Sequence, residues 1–361
     1  MPRSPLFGKL EASNARFVDY HGWEIPASFG SVEDEYWALQ EAAGLADVSH
    51  RGRLVVRVED APRFLHGMVS NEVKELTPGC GNYAFVLDPH GHILADVRVL
   101  RLDAQSFLLD CEPQLSDVIR QQLDHHIIAD AVELEDWSAQ LACLALEGPC
   151  AREVLREALG FDPPHMHPLE HIYLDDLAAR LLHTSACGAE GYWILVPPDR
   201  AADLWRKALE AGAGFGLRLV GFEAVEIRRI EAGLPRYGAD LDVKTLPQET
   251  GQFHALSFTK GCYIGQETVE RIHSRGHVNR QLVGLLLEGK RDIAPNTMAL
   301  AAGHPSGFIT SAAYSYGLRR TIALAYLRRE SAHPGTSVMV GADAAEVTPL
   351  PFQPPSRRSV P

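Results

Sequence analysis

A cysteine stands between two glycines in the segment Thr-Lys-Gly-Cys-Tyr-Ile-Gly-Gln-Glu, residues 259–267, where a helical pattern begins. Unpaired backbone N–H groups and the positive dipole end at the start of a helix favour a thiolate. Lys260 adds a positive charge two residues away. The pattern predicts a thiolate at Cys262, which would act as a nucleophile, a redox thiol or a ligand of a cluster shared with another protein. The alternative is a small cysteine that packs beside Gly261 and Gly265.

Arginines cluster in a second segment, residues 226–241, whose sequence is Glu-Ile-Arg-Arg-Ile-Glu-Ala-Gly-Leu-Pro-Arg-Tyr-Gly-Ala-Asp-Leu. Arg228, Arg229 and Arg236 accompany an amphipathic helix, and arginine is suited to bidentate recognition of a carboxylate. A solvated charged face is the alternative.

Two further patterns contain side chains that could do chemistry. Asp96 interrupts an apolar strand, where a buried carboxylate needs a partner, although on an alternating strand it could also face solvent. His165, His167 and His171 could bind a metal, but they lie in a proline-rich stretch without a thiolate or acidic partner. We therefore expect an exposed loop at the histidines, and no metal site.

Composition and charge narrow the function classes. The 361 residues carry a net charge of −13, which disfavours direct binding to nucleic acid or to anionic membranes. The chain has no apolar run long enough to cross a membrane and no signal peptide, so we expect a cytoplasmic protein. The Walker, dinucleotide-binding, Gly-x-Ser-x-Gly and His-Glu-x-x-His motifs are absent from the sequence.

The six cysteines include no Cys-x-x-Cys pair, so we expect reduced thiols. Five of them lie among apolar or small residues and are expected to pack in the interior; Cys262 differs from them in its neighbours.

Periodicity predicts an α+β body followed by a small β-barrel. The predicted helices cover 31–46, 60–73, 114–127, 149–160, 198–213 and 265–274, besides the arginine-rich one. The predicted strands cover 52–59, a hairpin at 81–102, 106–111, 139–149, 179–185 and 191–197. The repeated alternation suggests two related halves, and short strands with glycine turns follow from about residue 278. We place the domains at 1–277 and 278–353, with a disordered tail at 354–361.

The segment 260–267 resembles the signature Lys-Gly-Cys-[aromatic]-x-Gly-Gln-Glu of the YgfZ-type folate-binding proteins. Lys260 to Glu267 match it without a gap, so the resemblance marks Gly261, Tyr263, Gly265, Gln266 and Glu267 as motif residues beside Lys260 and Cys262. The resemblance implies a role in the assembly or repair of iron–sulfur clusters, with effects on tRNA modification.

Nearly the whole chain is similar to the wider superfamily of the glycine-cleavage T protein, an aminomethyltransferase. The similarity includes residues 17–54, residues 228–241, which begin with Arg-Arg-Ile-Glu-Ala-Gly, and residues 304–327. It implies two related halves around a central channel that holds tetrahydrofolate or another reduced folate. It also implies that Arg229 contacts the folate, and it adds further candidate folate-binding residues: Asp96, Glu190, Tyr83 and Tyr237.

Two departures from the T-protein pattern matter for the expected activity. Ala95 stands where the resemblance places the catalytic aspartate, and Asp96 matches only its neighbour. Ala189 stands where a glutamate holds the pterin, with Glu190 adjacent as a substitute. Without that aspartate, proton transfer at the folate nitrogen would be crippled, so we expect no aminomethyl transfer.

Three hypotheses follow. The first is a folate-binding protein of the YgfZ type that acts in iron–sulfur cluster maturation, with assembly or client proteins as partners. The second is a folate-dependent aminomethyl- or methyltransferase of the T-protein type. The third is a scaffold that uses the folate-binding fold to bind a protein partner.

Overall fold

The computed structural model describes residues 1–356, with the backbone alone for Arg275. The last five residues of the predicted tail lie outside this range. In the part of the chain that is described, no helix is long and apolar enough to cross a membrane.

Eight helices are assigned within the described residues, and short 3-10 turns accompany them. Their bounds are α1 Phe7–Ala12, α2 Val32–Glu41, α3 Ala61–Met68, α4 Ser116–His126, α5 Ala151–Leu159, α6 Pro198–Gly212, α7 Phe222–Glu231 and α8 Gln266–Arg275.

Thirteen strands precede the C-terminal part of the chain: β1 Arg16–Tyr20, β2 Trp23–Ser28, β3 Gly44–Asp47, β4 Gly52–Arg57, β5 Gly81–Leu87, β6 Ile93–Arg101, β7 Phe107–Cys111, β8 Glu133–Asp136, β9 Ala142–Glu147, β10 His171–Leu174, β11 Ala179–His183, β12 Gly191–Val196 and β13 Arg218–Leu219. Six more follow: β14 Arg280–Leu287, β15 Met298–Ala301, β16 His304–Ser315, β17 Arg320–Arg328, β18 Ser337–Val340 and β19 Asp343–Thr348.

The chain forms two compact units. Unit 1 comprises residues 1–66, 72–83 and 97–225, and unit 2 comprises residues 67–71, 84–96 and the described residues from 226 onwards. Residues 226–277 belong to unit 2 together with the barrel strands. The domain boundary near residue 278 stays a prediction.

Unit 1 contains the α+β elements predicted from periodicity. One sheet has the strand order β10-β11-β12-β9-β3-β13, and a second has the order β5-β6-β7-β4-β8, in which residues 84–87 and 93–96 are assigned to unit 2. Helices α5 and α6 contribute Val154, Leu155, Leu204 and Trp205 to the core of the first sheet. Each fully buried leucine or valine of such a core contributes roughly 1.5–3 kcal/mol.

Unit 2 contains a closed barrel of six strands in the order β14-β17-β16-β15-β18-β19. The barrel closes because β14 pairs antiparallel with both β17 and β19. Alternate residues of β14, among them Val283, Leu285 and Leu287, fill its interior. The predicted fold class, an α+β body followed by a small barrel, is confirmed.

Two details of the element prediction are wrong. The helix predicted over 31–46 ends at Glu41, and Gly44–Asp47 form β3 instead, because Gly44 and the residues after it pair with β9. In the helix predicted over 114–127, the spacing of Leu115, Val118, Ile119 and Leu123 predicts one apolar face, but Val118 is 40% exposed, whereas the other three are buried.

Candidate active site

Strand β6 places a carboxylate on its accessible face. Burial alternates along the strand, with Ile93, Ala95 and Val97 buried and Leu94 and Asp96 half-buried. Ala95 is fully buried, so its side chain is on the packed face. A carboxylate at position 95 would therefore be buried among apolar groups. The carboxylate on the less buried face of this strand is that of Asp96, whose Oδ1 is itself buried.

The loop after α7 brings a tyrosine close to Asp96. The Ile93 N–H donates to the carbonyl of Thr245 at 3.0 Å, which attaches the start of β6 to this loop. Desolvation and the nearby carboxylates of Asp242 and Asp96 raise the pKa of Tyr237 to about 12. The phenol is therefore neutral at physiological pH and remains a hydrogen-bond donor. The structure thus brings together two of the predicted folate-binding residues.

Arg229 is almost fully buried, at 3% exposure. Its guanidinium donates to Asp240 at 2.5 Å, to the hydroxyl of Ser311 at 2.7 Å and to Glu226. Asp240 also accepts hydrogen bonds from Thr310 and from the backbone N–H of Arg236. These contacts make Arg229 part of an internal network. A direct contact with folate stays a prediction that the burial does not support.

Sequence reasoning missed an arginine that follows α8. Arg280 makes two hydrogen bonds of 3.0 Å with the carboxylate of Glu249, and its guanidinium lies 4.8 Å from the ring centroid of Tyr326. Desolvation, with the charges of Asp240 and Glu249, raises the pKa of Tyr326 well above its usual value. Nothing in the spacing of these residues along the chain indicates this group.

Lys260 holds a separate chain segment. Its ammonium donates to the carbonyls of Val69 and Asn71, both at 2.6 Å, and lies 5.1 Å from the ring centroid of Tyr263. The same segment is fixed through Ser70, whose hydroxyl donates to the carbonyl of Ala255 at 2.6 Å. These hydrogen bonds tie Lys260 to the segment 69–71, and the catalytic role expected for Lys260 stays a prediction.

Cys262 is exposed, whereas the other cysteines are buried or half-buried. Helix α8 begins at Gln266 with Gly265 as its N-cap, so Cys262 lies four residues before the first helical residue. Cys262 therefore precedes the first turn, as predicted, but at a distance of four residues, and a dipole effect confined to that turn is not expected to reach it.

The glycines of the motif shape the turn into α8. Gly261 and Gly265 have φ angles of 95° and 83°, in the left-handed region. A β-carbon at Gly265 would lie 2.7 Å from the carbonyl oxygen of Asp88, whereas one at Gly261 would meet open space. Gln266 is half-buried and Glu267 is exposed in the first turn.

The hydroxyl of Tyr263 is buried and has no hydrogen-bond partner among the described residues. Desolvation, with a contribution from Glu270, raises its pKa.

Family comparisons agree over nearly the whole chain. Residues 6–260 match the family described as the GCVT N-terminal domain, and residues 280–353 match the glycine-cleavage T-protein C-terminal barrel domain. An aminomethyltransferase from Geobacillus kaustophilus is 31% identical over 360 residues, which cover 98% of each chain. The chain belongs to the glycine-cleavage T-protein family.

Other T-protein relatives agree. An aminomethyltransferase from Bacillus subtilis is 30% identical over 344 residues, covering 94% of each chain. The solved structure of the glycine cleavage system aminomethyltransferase T from Bartonella henselae superposes with a TM-score of 0.90 at 24% identity, covering 98% of each chain, and so supports the fold. These relatives support the T-protein superfamily but not the narrower YgfZ type.

The remaining predicted folate-binding residues of this T-protein family member belong to unit 1. Tyr83 is half-buried in β5. Glu190 has a side chain that is 44% exposed, and its Oε1 accepts from the hydroxyl of Tyr192 at 2.8 Å and lies 3.3 Å from His183 Nε2. The carboxylate is oriented by these neighbours, and its role in place of Ala189 stays a prediction.

The histidine-rich stretch is only partly an exposed loop. His171 is 2% exposed in β10 and accepts from Arg180 at Nδ1, at 2.7 Å. Burial, with the charge of Arg180, lowers its pKa to about 4. The expectation of an exposed loop is therefore wrong for His171. The prolines before it indicate a loop, but they do not reveal that the loop ends where β10 begins.

Proposed function

We propose that this protein is a folate-dependent transferase of the glycine-cleavage T-protein type, which transfers the carbon of a carrier-bound aminomethyl group to tetrahydrofolate and releases ammonia and the carrier thiol. Full-length similarity to proteins named aminomethyltransferase supports this activity. The observation that carries the proposal is the half-buried carboxylate of Asp96 near Tyr237, on the strand where the sequence had suggested a lost catalytic group. This reverses the expectation that Ala95 abolishes transfer.

The side chains around Asp96 suit a reduced folate. A pterin presents N–H groups that need acceptors and a flat ring that needs an apolar or aromatic surface. Asp96 supplies a carboxylate acceptor and Tyr237 an aromatic ring with a neutral hydroxyl donor. When bound, the folate supplies the nitrogen that accepts the one-carbon unit.

The chain's own residues orient the ligand and handle its protons. A half-buried carboxylate at Asp96 can accept a proton from the folate nitrogen or hold that nitrogen by a hydrogen bond. The Ile93–Thr245 hydrogen bond fixes the strand that carries Asp96. Such positioning contributes to the rate because the reacting groups meet already aligned.

A transfer assay with Asp96→Asn tests this function. The protein is incubated with tetrahydrofolate and a glycine-cleavage carrier protein loaded with the aminomethyl group, and mass spectrometry follows loss of the group from the carrier. We expect transfer by the wild type and at least a hundredfold slower transfer by Asp96→Asn, because general acid–base catalysis contributes roughly 10²–10⁴-fold. Asp292→Asn, which changes an exposed aspartate of the same unit, is the matched control. No transfer by the wild type, or an equal rate in Asp96→Asn, would refute the proposal.

The exposed thiol of Cys262 favours a second candidate, a YgfZ-type role in iron–sulfur cluster assembly or repair with client or assembly proteins as partners. A cell that lacks the native protein separates the two functions. If Cys262→Ser fails to restore iron–sulfur enzyme activity there while it keeps aminomethyl transfer, folate affinity and melting temperature, the YgfZ-type role is supported. Full restoration by Cys262→Ser leaves the transferase as the function.

A further inference from the structure

A row of charged side chains crosses three neighbouring strands of unit 1. Arg98 in β6 is opposite Asp110 in β7, and Asp110 is in turn opposite Arg53 in β4. Arg51, directly before β4, joins the row: Asp110 Oδ1 accepts from Arg51 Nε at 2.7 Å and from Arg98 Nη1 at 3.0 Å. The cluster therefore depends on strand register and not on sequence proximity.

The acidic members of this cluster are already occupied. Asp110 is 2% exposed and lies between the arginines. Glu112 accepts from Arg51 Nη1 at 2.5 Å through one oxygen and from the hydroxyl of Tyr20 through the other. Arg53, fully buried, donates to backbone carbonyls, including that of Val48 at 3.1 Å. The row itself holds three guanidinium groups and two carboxylates, and the carboxylates of Asp47, which interacts with Arg53, and of Glu147, which bonds to Trp193, are further acidic neighbours.

Two of the guanidinium groups keep unused donors. Arg98 donates through Nη1 alone, and Arg51 through Nε and Nη1. In the described part of the chain, the other nitrogens of these two residues have no hydrogen-bond partner, and none of them is buried from solvent. The side chains of Arg51 and Arg98 are 11% and 19% exposed. Their free edges thus face an accessible space at the edge of a buried ion-pair cluster.

An aromatic floor fixes these guanidinium groups in place. They lie 4.6 Å (Arg98) and 5.3 Å (Arg51) from the ring centroid of Trp193. Trp193 is itself 1% exposed, and its indole N–H donates to Glu147 at 3.0 Å. A stacked and ion-paired arginine has already lost most of its rotamer freedom, so binding a ligand costs less entropy. His50 next to the cluster adds no charge at neutral pH, because burial lowers its pKa to about 4.

We propose that Arg51 and Arg98, above Trp193, bind the carboxylate group of a small molecule. A planar guanidinium edge matches a carboxylate in two parallel hydrogen bonds. A singly charged carboxylate places less negative charge beside Asp110 and Glu112 than a phosphate dianion would. The site is independent of the proposed transferase function, and its test uses no folate, so the two can fail separately.

A purely structural cluster would predict something different. If Arg98 served only to neutralise Asp110, its substitution would change stability alone, and small anions would not bind near Trp193. A purely structural role does not explain why Arg98 keeps unused hydrogen-bond donors while it stacks on Trp193.

The test follows the indole N–H resonance of Trp193 in ¹⁵N-labelled protein during titration with sodium acetate at constant ionic strength. Trp193→Phe assigns the resonance. We expect a saturable shift in the wild type, affinity at least about tenfold weaker in Arg98→Met, and a smaller loss in Arg98→Lys. Arg120→Met, which removes an arginine whose side chain is 52% exposed on α4 of the same unit, is the matched control and should bind like the wild type.

Three results would overturn the proposal. The first is the absence of a saturable shift in the wild type. This measurement does not depend on whether any variant folds. Another is equal affinity in Arg98→Met, or in Arg98→Lys if Arg98→Met does not fold. The third is tighter binding of inorganic phosphate than of acetate in a parallel titration, which would assign the site to phosphate.

Discussion

The side chain of Arg229 is 4% exposed, and each of its charged partners belongs to the same unit. A buried guanidinium is tolerated because Asp240 and Glu226 neutralise it and Ser311 accepts a further hydrogen bond. Replacing one of these residues leaves its partners buried without a compensating charge or hydrogen bond. We therefore expect a loss of folding stability before any loss of ligand affinity.

Arg229→Ala is expected to lower the free energy of unfolding by about 3–5 kcal/mol, because Asp240 would remain buried without its ion-pair partner. Urea denaturation measures the change. Arg206→Ala, in exposed ion pairs on α6, is the control and should change stability by less than about 1 kcal/mol. If Arg229→Ala were as stable as the wild type but had lost its affinity for tetrahydrofolate, the prediction that Arg229 contacts the folate directly would be supported instead.

The cysteines differ in accessibility, which makes alkylation selective. Cys262 is exposed, whereas Cys143 is fully buried and burial raises its pKa to about 12. Iodoacetamide at pH 8, followed by peptide mapping, should label Cys262 first and Cys143 last. Labelling of Cys262 after the buried cysteines would show that its side chain is covered in solution.

Gly265, the N-cap of helix α8, has to be glycine for two reasons, its backbone conformation and a close neighbouring atom. Gly261 has to be glycine for the first reason only. Both have a positive φ, but only Gly265 lies against the carbonyl of Asp88. The comparison separates backbone conformation from steric exclusion within one turn.

Gly261→Ala is expected to cost roughly 1–2 kcal/mol, the cost of a left-handed conformation for an L-residue. Gly265→Ala should cost about 1–3 kcal/mol more, because its β-carbon would lie 2.7 Å from the Asp88 carbonyl oxygen. Thermal unfolding of the two variants gives the difference. Equal destabilisation would mean that the turn moves away from the hairpin at little cost.

The stability of the whole molecule depends on histidines that fold in the neutral state. The folded pKa of His171 is about 4, below its usual value of 6.5. Above pH 6.5 the residue is neutral in both states and its contribution is complete. As the pH falls from 6.5 towards 4, the unfolded chain takes up a proton first, so stability is lost.

His171→Asn isolates this contribution, since its amide oxygen can still accept from Arg180. Between pH 7 and pH 4, the free energy of unfolding of the wild type should fall by about 3 kcal/mol more than that of His171→Asn. Carboxylates with raised pKa values, such as Glu147, act in the opposite direction but are common to both proteins. Urea denaturation across this range measures the difference, and parallel pH curves would contradict the assigned burial.

The sequence by itself determined the local elements, the barrel and the superfamily. The hairpin β5–β6, the stop of α5 at Gly160 and the alternation that exposes Asp96 depend on residues within a few positions of one another, so their periodicity and turn residues are visible in the sequence. The YgfZ-type signature was also visible, but a short motif does not outweigh similarity along the whole chain.

Only the tertiary structure decided which charged side chains are accessible. Lys260 bonds to residues 191 and 189 positions away, and Arg229 bonds to Ser311, 82 positions away. The alignment of Arg98, Asp110 and Arg53 likewise required strand pairing. Partners so distant leave no periodic pattern in the sequence, and a charged residue looks the same there whether it is later buried in an ion pair or left facing a ligand.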